Sequence, residues 1–171
     1  MQSRVTSGRK SRCPMSEATS AQPTPADPAT ADRIPAGHRL VPHTADCIIE
    51  AWGPDRPSCL TEALAALVEE FAEAPDAPSV RVVPLAAGPG GAEDALVSLL
   101  EDVIYALDVF SMVPVRFHLT ETEAGGVAGD MEVVPADAVV ASGPVPKAVS
   151  YHELSMAPWE GGWQCHVLID V

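Results

Sequence analysis

Basic residues are scarce in this sequence once the first 37 residues have passed. Residues 38–171 contain five Lys and Arg against 21 Asp and Glu, a net charge of −16. Direct binding to a phosphate backbone needs clustered Lys and Arg, so we expect no direct binding of nucleic acid. A role near RNA or DNA would require a protein partner, and a partner with a basic surface is favoured. The alternative is that the charge only reflects an acidic, soluble protein.

Other absences exclude further classes of protein. No run of 18 apolar residues exists, which excludes a membrane-spanning helix. The basic residues near the N-terminus are followed by no apolar stretch, so we expect no secretory signal. The four cysteines form no CxxC pair and indicate no zinc site; Cys47 and Cys165 lie in apolar runs typical of buried thiols. A phosphate loop, a dinucleotide fingerprint and an HExxH motif are also missing. We therefore expect a cytoplasmic protein.

The chain divides into two parts by composition. Residues 1–37 are rich in Pro, Ala, Ser and Thr and hold half of the ten basic residues. Such a segment cannot bury enough apolar surface to offset the entropy of ordering, so we expect it to be disordered. Met15 is an alternative start within it. Residues 38–171 have enough apolar residues for a core and are expected to form one domain.

Apolar periodicity predicts two helices and six strands in this domain. The helices cover residues 60–71 and 95–107, where apolar residues recur at helical spacing. Gly125-Gly126 and Gly161-Gly162 are typical of hairpin turns. Consecutive hairpins indicate a mainly antiparallel sheet that carries two helices, which is an α+β fold. The predicted strands cover residues 47–52, 80–85, 113–120, 127–134, 147–154 and 163–171.

Negative charge is concentrated at the end of the last predicted strand. Asp170 and the carboxylate of Val171 follow an apolar run, and two carboxylates 4 Å apart repel by about 4 kcal/mol at an effective dielectric constant near 20. A hard divalent cation with oxygen ligands would relieve that repulsion. Asp46, just before the first predicted strand, offers a third oxygen ligand if the two strands are neighbours. Asp46 is otherwise interpreted as a turn residue that bonds nearby backbone amides.

Other polar residues carry weaker signals. Lys147 is the only lysine after residue 37. It is either an edge-strand charge or a contact to an acidic group on a partner or to a substrate phosphate. His118, His152 and His166 lie in strand patterns and are expected to be packed or surface histidines. Ser150, His152 and Asp170 contain the residue types of a nucleophilic triad, but no nucleophile elbow accompanies them. A metal-assisted hydrolase that uses Asp46 or His152 is a further alternative.

Three separated blocks of the sequence resemble the archease family. The first is His43-Thr44-Ala45-Asp46 followed by a strand that ends in Ala51-Trp52-Gly53, and the second is the segment 95–108, ALVSLLEDVIYALD. The third is KAVSYHEL at 147–154 with the closing segment 162–171. The blocks occur in the family's order and span residues 38–171. Differences from the family fall at Glu101, Asp102 and Ser150, and around Pro57-Ser58.

The resemblance implies a fold, a function and a set of site residues. Archeases are small α+β proteins that activate, without being enzymes, a GTP-dependent RNA ligase of tRNA splicing and RNA repair. They promote guanylylation and turnover of that ligase. The family's metal site, described with calcium, corresponds to Asp46, Asp170 and Val171, and its functionally sensitive lysine to Lys147. A general chaperone-like module with an acidic binding surface is the main alternative function.

Overall fold

A computed structural model of the chain describes residues 34–42, 46–73 and 79–171. Most of the segment expected to be disordered lies outside these residues. So do residues 43–45 of the HTAD block and residues 74–78, where two prolines were expected to end the first helix. The elements, in chain order, are β1 (Gly37–Pro42), β2 (Asp46–Gly53), α1 (Arg56–Phe71), β3 (Ala72–Glu73), β4 (Arg81–Ala87), α2 (Ala92–Phe110), β5 (Met112–Glu121), β6 (Val127–Pro135), β7 (Val140–Ala141), β8 (Ala148–Trp159) and β9 (Gly162–Asp170).

Both predicted helices are confirmed, and their N-termini have clear local causes. Asp55 caps α1, and its Oδ1 accepts a hydrogen bond of 2.9 Å from the backbone N–H of Ser58. Pro57 lies in the first turn of α1, where its missing N–H leaves no unpaired donor. At the start of α2, Asp94 accepts a hydrogen bond from the Gly91 N–H at 3.2 Å and lies at the positive end of the helix dipole.

The strands form two larger antiparallel sheets and one short pair. The strand order is β1-β2-β9-β8 in the first sheet and β4-β6-β5 in the second, while β3 pairs with β7. The fold is α+β, as predicted. The strand β1 was not predicted, so the strand expected to come first is the second. Pro84 lies in β4 at an edge of its sheet, a position where proline is tolerated within a sheet.

Each helix packs against both larger sheets. The helix α1 contacts β2 in one sheet and β5 in the other, and α2 contacts β8 as well as β4 and β5. Fully buried residues from all of these elements, such as Ile49, Leu64, Leu99 and Val133, make one continuous core. No polar or charged side chain is buried in the described part of the chain. Neither described helix combines the length and apolar character of a membrane span.

One of the predicted hairpin turns is shifted by a residue. The turn between β8 and β9 consists of Glu160 and Gly161, with φ of 44° and 83°, and Gly162 already belongs to β9. Two residues of positive φ are typical of a type I′ turn, whose twist matches that of the flanking strands. The prediction of Gly161-Gly162 was therefore wrong by one position. Gly125, with a φ of 82°, does lie in the loop between β5 and β6, as expected.

Candidate functional site

The register between β2 and β9 places Asp46 directly opposite Asp170. The buried residues of both strands alternate with residues on the outer face, and both aspartates belong to that outer set. Residues directly opposite in an antiparallel pair have Cβ atoms about 4.5–5.5 Å apart, and like charges at such positions are destabilising. The structure thus brings together two carboxylates that lie near opposite ends of the domain sequence.

Lys147 joins this pair through the end of the chain. Its backbone N–H donates to the Asp170 carbonyl oxygen at 2.8 Å, and its Nζ donates to the Val171 main-chain oxygen at 3.0 Å. Ala148, the next residue, is the register partner of Asp170 on the side away from Asp46. The four residues selected from the sequence, Asp46, Lys147, Asp170 and Val171, therefore lie at one end of the same sheet. We call this group the terminal acidic cluster.

The donor set of the terminal acidic cluster fits a hard cation in part. Two carboxylates and a main-chain oxygen are ligand types that calcium and magnesium prefer, and the main-chain oxygen of Val171 is a carboxylate oxygen when the chain ends there. A carboxylate has a second oxygen, so the hydrogen bond from Lys147 still leaves an acceptor available. Within the described ranges, no three His, Cys, Asp or Glu side chains form a metal-binding group. An ion here would thus depend on Val171 in addition to the two aspartates.

The strand β8 is interrupted beside this cluster. Its register with β9 moves from Ser150 opposite Leu168 to Ser155 opposite His166, so five steps along β8 match two along β9. Glu153 within this bulge has a φ of 56°, which is uncommon for a residue with a side chain. Sequence reasoning predicted a regular strand through Leu154 and missed the bulge, because nothing in residue type there indicates one.

The bulge removes the hypothetical triad. The His152 side chain is 77% exposed, and its Nε2 lies 3.8 Å from a Glu153 carboxylate oxygen rather than beside Asp170. Ser150 Oγ accepts a hydrogen bond from the His152 backbone N–H at 3.3 Å. The other two histidines also lie next to a glutamate on the surface, His118 near Glu132 and His166 near Glu50. Each of the three histidines thus has a glutamate as its neighbour.

A histidine that was not selected from the sequence has the most defined environment. His38 on β1 contacts two carboxylates of α1, Glu62 at 2.7 Å and Glu69 at 3.1 Å. Partial burial alone would lower the pKa of His38, but the hydrogen bonds to Glu62 and Glu69 outweigh it and raise that pKa above its usual value. This contact fastens the first strand to α1. It involves no group of the terminal acidic cluster.

The described cysteines are buried free thiols. Cys47 and Cys165 are buried as predicted, and Cys59 on α1 is fully buried as well. Burial raises the pKa of the Cys47 thiol to about 12. A hydrogen bond with Cys165, together with burial, raises the pKa of Cys59. Burial of both thiols is typical of structural rather than reactive cysteines.

Comparison with known proteins agrees with the α+β fold. Residues 38–171 match the model of the Archease protein family (MTH1598/TM1083). The chain belongs to the archease family. It is 40% identical over 136 residues to the proteins named "Probable protein archease" from two strains of Mycobacterium tuberculosis, CDC 1551 / Oshkosh and H37Rv. That match covers 80% of this chain and 75% of each relative.

Solved structures of distant sequences share the fold. The solution structure of Methanobacterium thermoautotrophicum protein 1598 aligns with a TM-score of 0.63 at 17% identity, over 79% of this chain and 99% of that one. The crystal structure of a Thermotoga maritima archease, described as a possible chaperone, aligns with a TM-score of 0.55 at 21% identity. It covers 78% of this chain and 96% of the other. At these identities, the likeness establishes the architecture.

Proposed function

We propose that this protein is a non-enzymatic activator of a GTP-dependent RNA ligase. It promotes guanylylation and turnover of the ligase in tRNA splicing and RNA repair. Its site is the terminal acidic cluster, in which Asp46, Asp170 and the Val171 carboxylate hold a divalent ion, calcium by preference, and Lys147 contacts the partner. The observation that carries the proposal is the register that sets Asp46 opposite Asp170, with Lys147 bonded to the end of the same strand.

The charge distribution supports a protein partner rather than RNA. The domain has no cluster of Lys or Arg that could follow a phosphate backbone, and its net charge from residue 38 onward is −16. An acidic surface is attracted to a basic one, and the channel of an enzyme that binds RNA is a basic surface. The activator would dock there and favour the ligase conformation that forms the enzyme–GMP adduct. The size of that shift is limited by its difference in affinity for the two conformations.

An ion in the terminal acidic cluster would have a local role. It would neutralise the two opposed aspartates and fix the end of β9 against β2. The Lys147 Nζ, which already donates to the Val171 oxygen, would keep its remaining two hydrogens for an acceptor on the partner. Binding of the ion and binding of the ligase would then be coupled, because both use the same end of the sheet.

Single-turnover guanylylation of the cognate ligase tests the proposal. Radiolabelled GTP is mixed with the ligase in calcium-containing buffer, with and without a stoichiometric amount of the protein. We expect the wild type to accelerate formation of the adduct, and Asp46→Ala and Lys147→Ala to lose most of the acceleration. Asp137→Asn, which removes an exposed acid from the turn at Ala136–Ala138, is the matched control and should behave as the wild type. Unchanged adduct formation, with the two proteins shown to bind each other, would refute the activator function.

A general chaperone-like module is the second candidate. The acidic surface supports it, and the Thermotoga maritima relative is described as a possible chaperone. The two candidates differ in the number of partners. Crosslinking followed by mass spectrometry should recover chiefly one ligase if the first holds, and many unrelated basic proteins if the second does.

A further inference from the structure

A small cavity lies beside α2, and no residue of the terminal acidic cluster lines it. It lies between the C-terminal half of α2 and the sheet β4-β6-β5, with a volume of about 170 Å³. Four of its residues, Asp102, Tyr105, Ala106 and Phe110, come from α2, and Asp102 and Tyr105 lie one turn apart on the same face. The sheet contributes Arg81 and five apolar residues: Val83, Pro84, Leu85, Met112 and Met131.

Asp102 is the carboxylate that lines this cavity. It is half-buried, and no hydrogen bond or ion pair to it is found within the described ranges. Burial, with the negative charge of Glu101 beside it, raises the pKa of Asp102 above its usual value. Arg81 also lines the cavity but forms no ion pair with Asp102. Burying a carboxylate in an apolar wall is unfavourable unless a cation pairs with it.

Two exposed aromatic rings stand at the rim of the same cavity. Tyr105 and Phe110 are each 56% exposed, and their rings meet edge to face with centroids 5.5 Å apart. Aromatic faces attract guanidinium and ammonium groups, and an unpartnered aromatic pair is typical of an interaction hot spot. Val109, one turn after Tyr105 on α2, is also half exposed.

We propose that this cavity receives a cationic side chain, arginine by preference, from a basic protein partner. The cavity is smaller than the 300–1,000 Å³ of common small-molecule sites, so it is sized for one side chain. The stem of the arginine packs against the methionines and Leu85, and its guanidinium pairs with Asp102 and stacks on a ring at the rim. Charge complementarity favours a basic partner, because α2 contains five acids and no Lys or Arg.

A titration with arginine itself tests the cavity without any partner. The full-length, ¹⁵N-labelled protein is titrated with N-acetyl-arginine amide while the amide shifts of residues 102–112 are followed. N-acetyl-citrulline amide, which has nearly the same shape and no charge, is the control ligand. We expect saturable shifts with a dissociation constant in the millimolar range for arginine and at least about fivefold weaker binding for citrulline.

Two acid-to-amide variants separate the cavity from bulk charge. Asp102→Asn should weaken arginine binding at least about fivefold, whereas Glu101→Gln, at the exposed neighbouring position, should change it by less than about twofold. Absence of saturable shifts would overturn the proposal, and so would equal effects of the two substitutions or equal binding of citrulline. A peptide with one arginine between apolar residues should bind more tightly than the amide. If it does not, the cavity binds small cations and the commitment to a protein partner is wrong.

Discussion

From the opposed aspartates, Asp46 and Asp170, we predict that calcium reverses which protein is more stable, the wild type or the variant Asp170→Asn. The substitution is Asp170→Asn, which removes one charge of the pair and keeps the side-chain shape. Without divalent ions, the variant loses a like-charge contact between directly opposite strand residues, and such contacts are worth about 0.2–1 kcal/mol. The variant should therefore be more stable than the wild type in a chelator by about that amount. For a chain of this size, 1 kcal/mol corresponds to about 2–4 °C in Tm.

Calcium should invert this difference. A ligand that binds only the folded state at 100 times its dissociation constant stabilises it by about 2.7 kcal/mol. The wild type should gain that stabilisation, and Asp170→Asn should gain much less, because an amide oxygen is a weaker ligand than a carboxylate. In calcium the wild type then becomes the more stable protein.

Urea unfolding followed by circular dichroism, in EDTA and in calcium chloride, measures both differences. Asp137→Asn serves as the control, because it removes an exposed acid outside the cluster and should respond to calcium as the wild type does. Two results would refute the reasoning. The first is a variant less stable than the wild type in EDTA, which would mean that Asp170 makes a favourable contact there. The second is an equal calcium response in both proteins, which would place any ion elsewhere.

Three further predictions concern the stability of the fold. The Oδ1 of Asp55, which caps α1, accepts hydrogen bonds from the Ser58 N–H at 2.9 Å and from the Ser58 hydroxyl at 2.6 Å. Asp55→Ala removes this cap and should lower the free energy of unfolding, measured in urea titrations, by about 1 kcal/mol. Because the pKa of His38 is raised in the folded state, its contribution to stability should be fully present below about pH 6.5 and lost as the pH rises through the folded-state value. His38→Gln should flatten that part of the stability–pH curve, and a steeper curve in the variant would contradict it. Gly129→Ala should destabilise the domain by several times RT or prevent its folding, because a Cβ at residue 129 would overlap the His118 carbonyl oxygen on β5. A variant that unfolds at the same urea concentration as the wild type would contradict this.

The helices and most strands could be predicted because their signals are local. Apolar spacing defines the buried face of each helix, and alternation with glycine-marked turns defines the strands of the second sheet. The strand β1 was missed because GHRLVP alternates poorly and forms only through its pairing with β2. The bulge in β8 is likewise a product of pairing, since two strands must accommodate unequal lengths there.

The residues of the candidate site could be selected from the sequence, but their arrangement in space could not. Residue types and a family resemblance selected Asp46, Lys147, Asp170 and Val171, but only the register between β2 and β9 brings them together, and spacing along the chain contains no information on register. The cavity at α2 was missed for another reason. Tyr105 is exposed on α2, and residue type alone does not show what an exposed ring contacts.

The central position of β9 also determines when the chain can fold. β9 lies between β2 and β8, so β2 has no partner on that side until the last described strand has been synthesised. Contacts between segments so far apart in the sequence slow folding. While β9 is still inside the ribosome, β2 exposes an unpaired strand edge. Completion of this domain is therefore expected only after β9 has emerged from the ribosome. Messages truncated before Gly162 should yield aggregated product rather than a smaller folded domain.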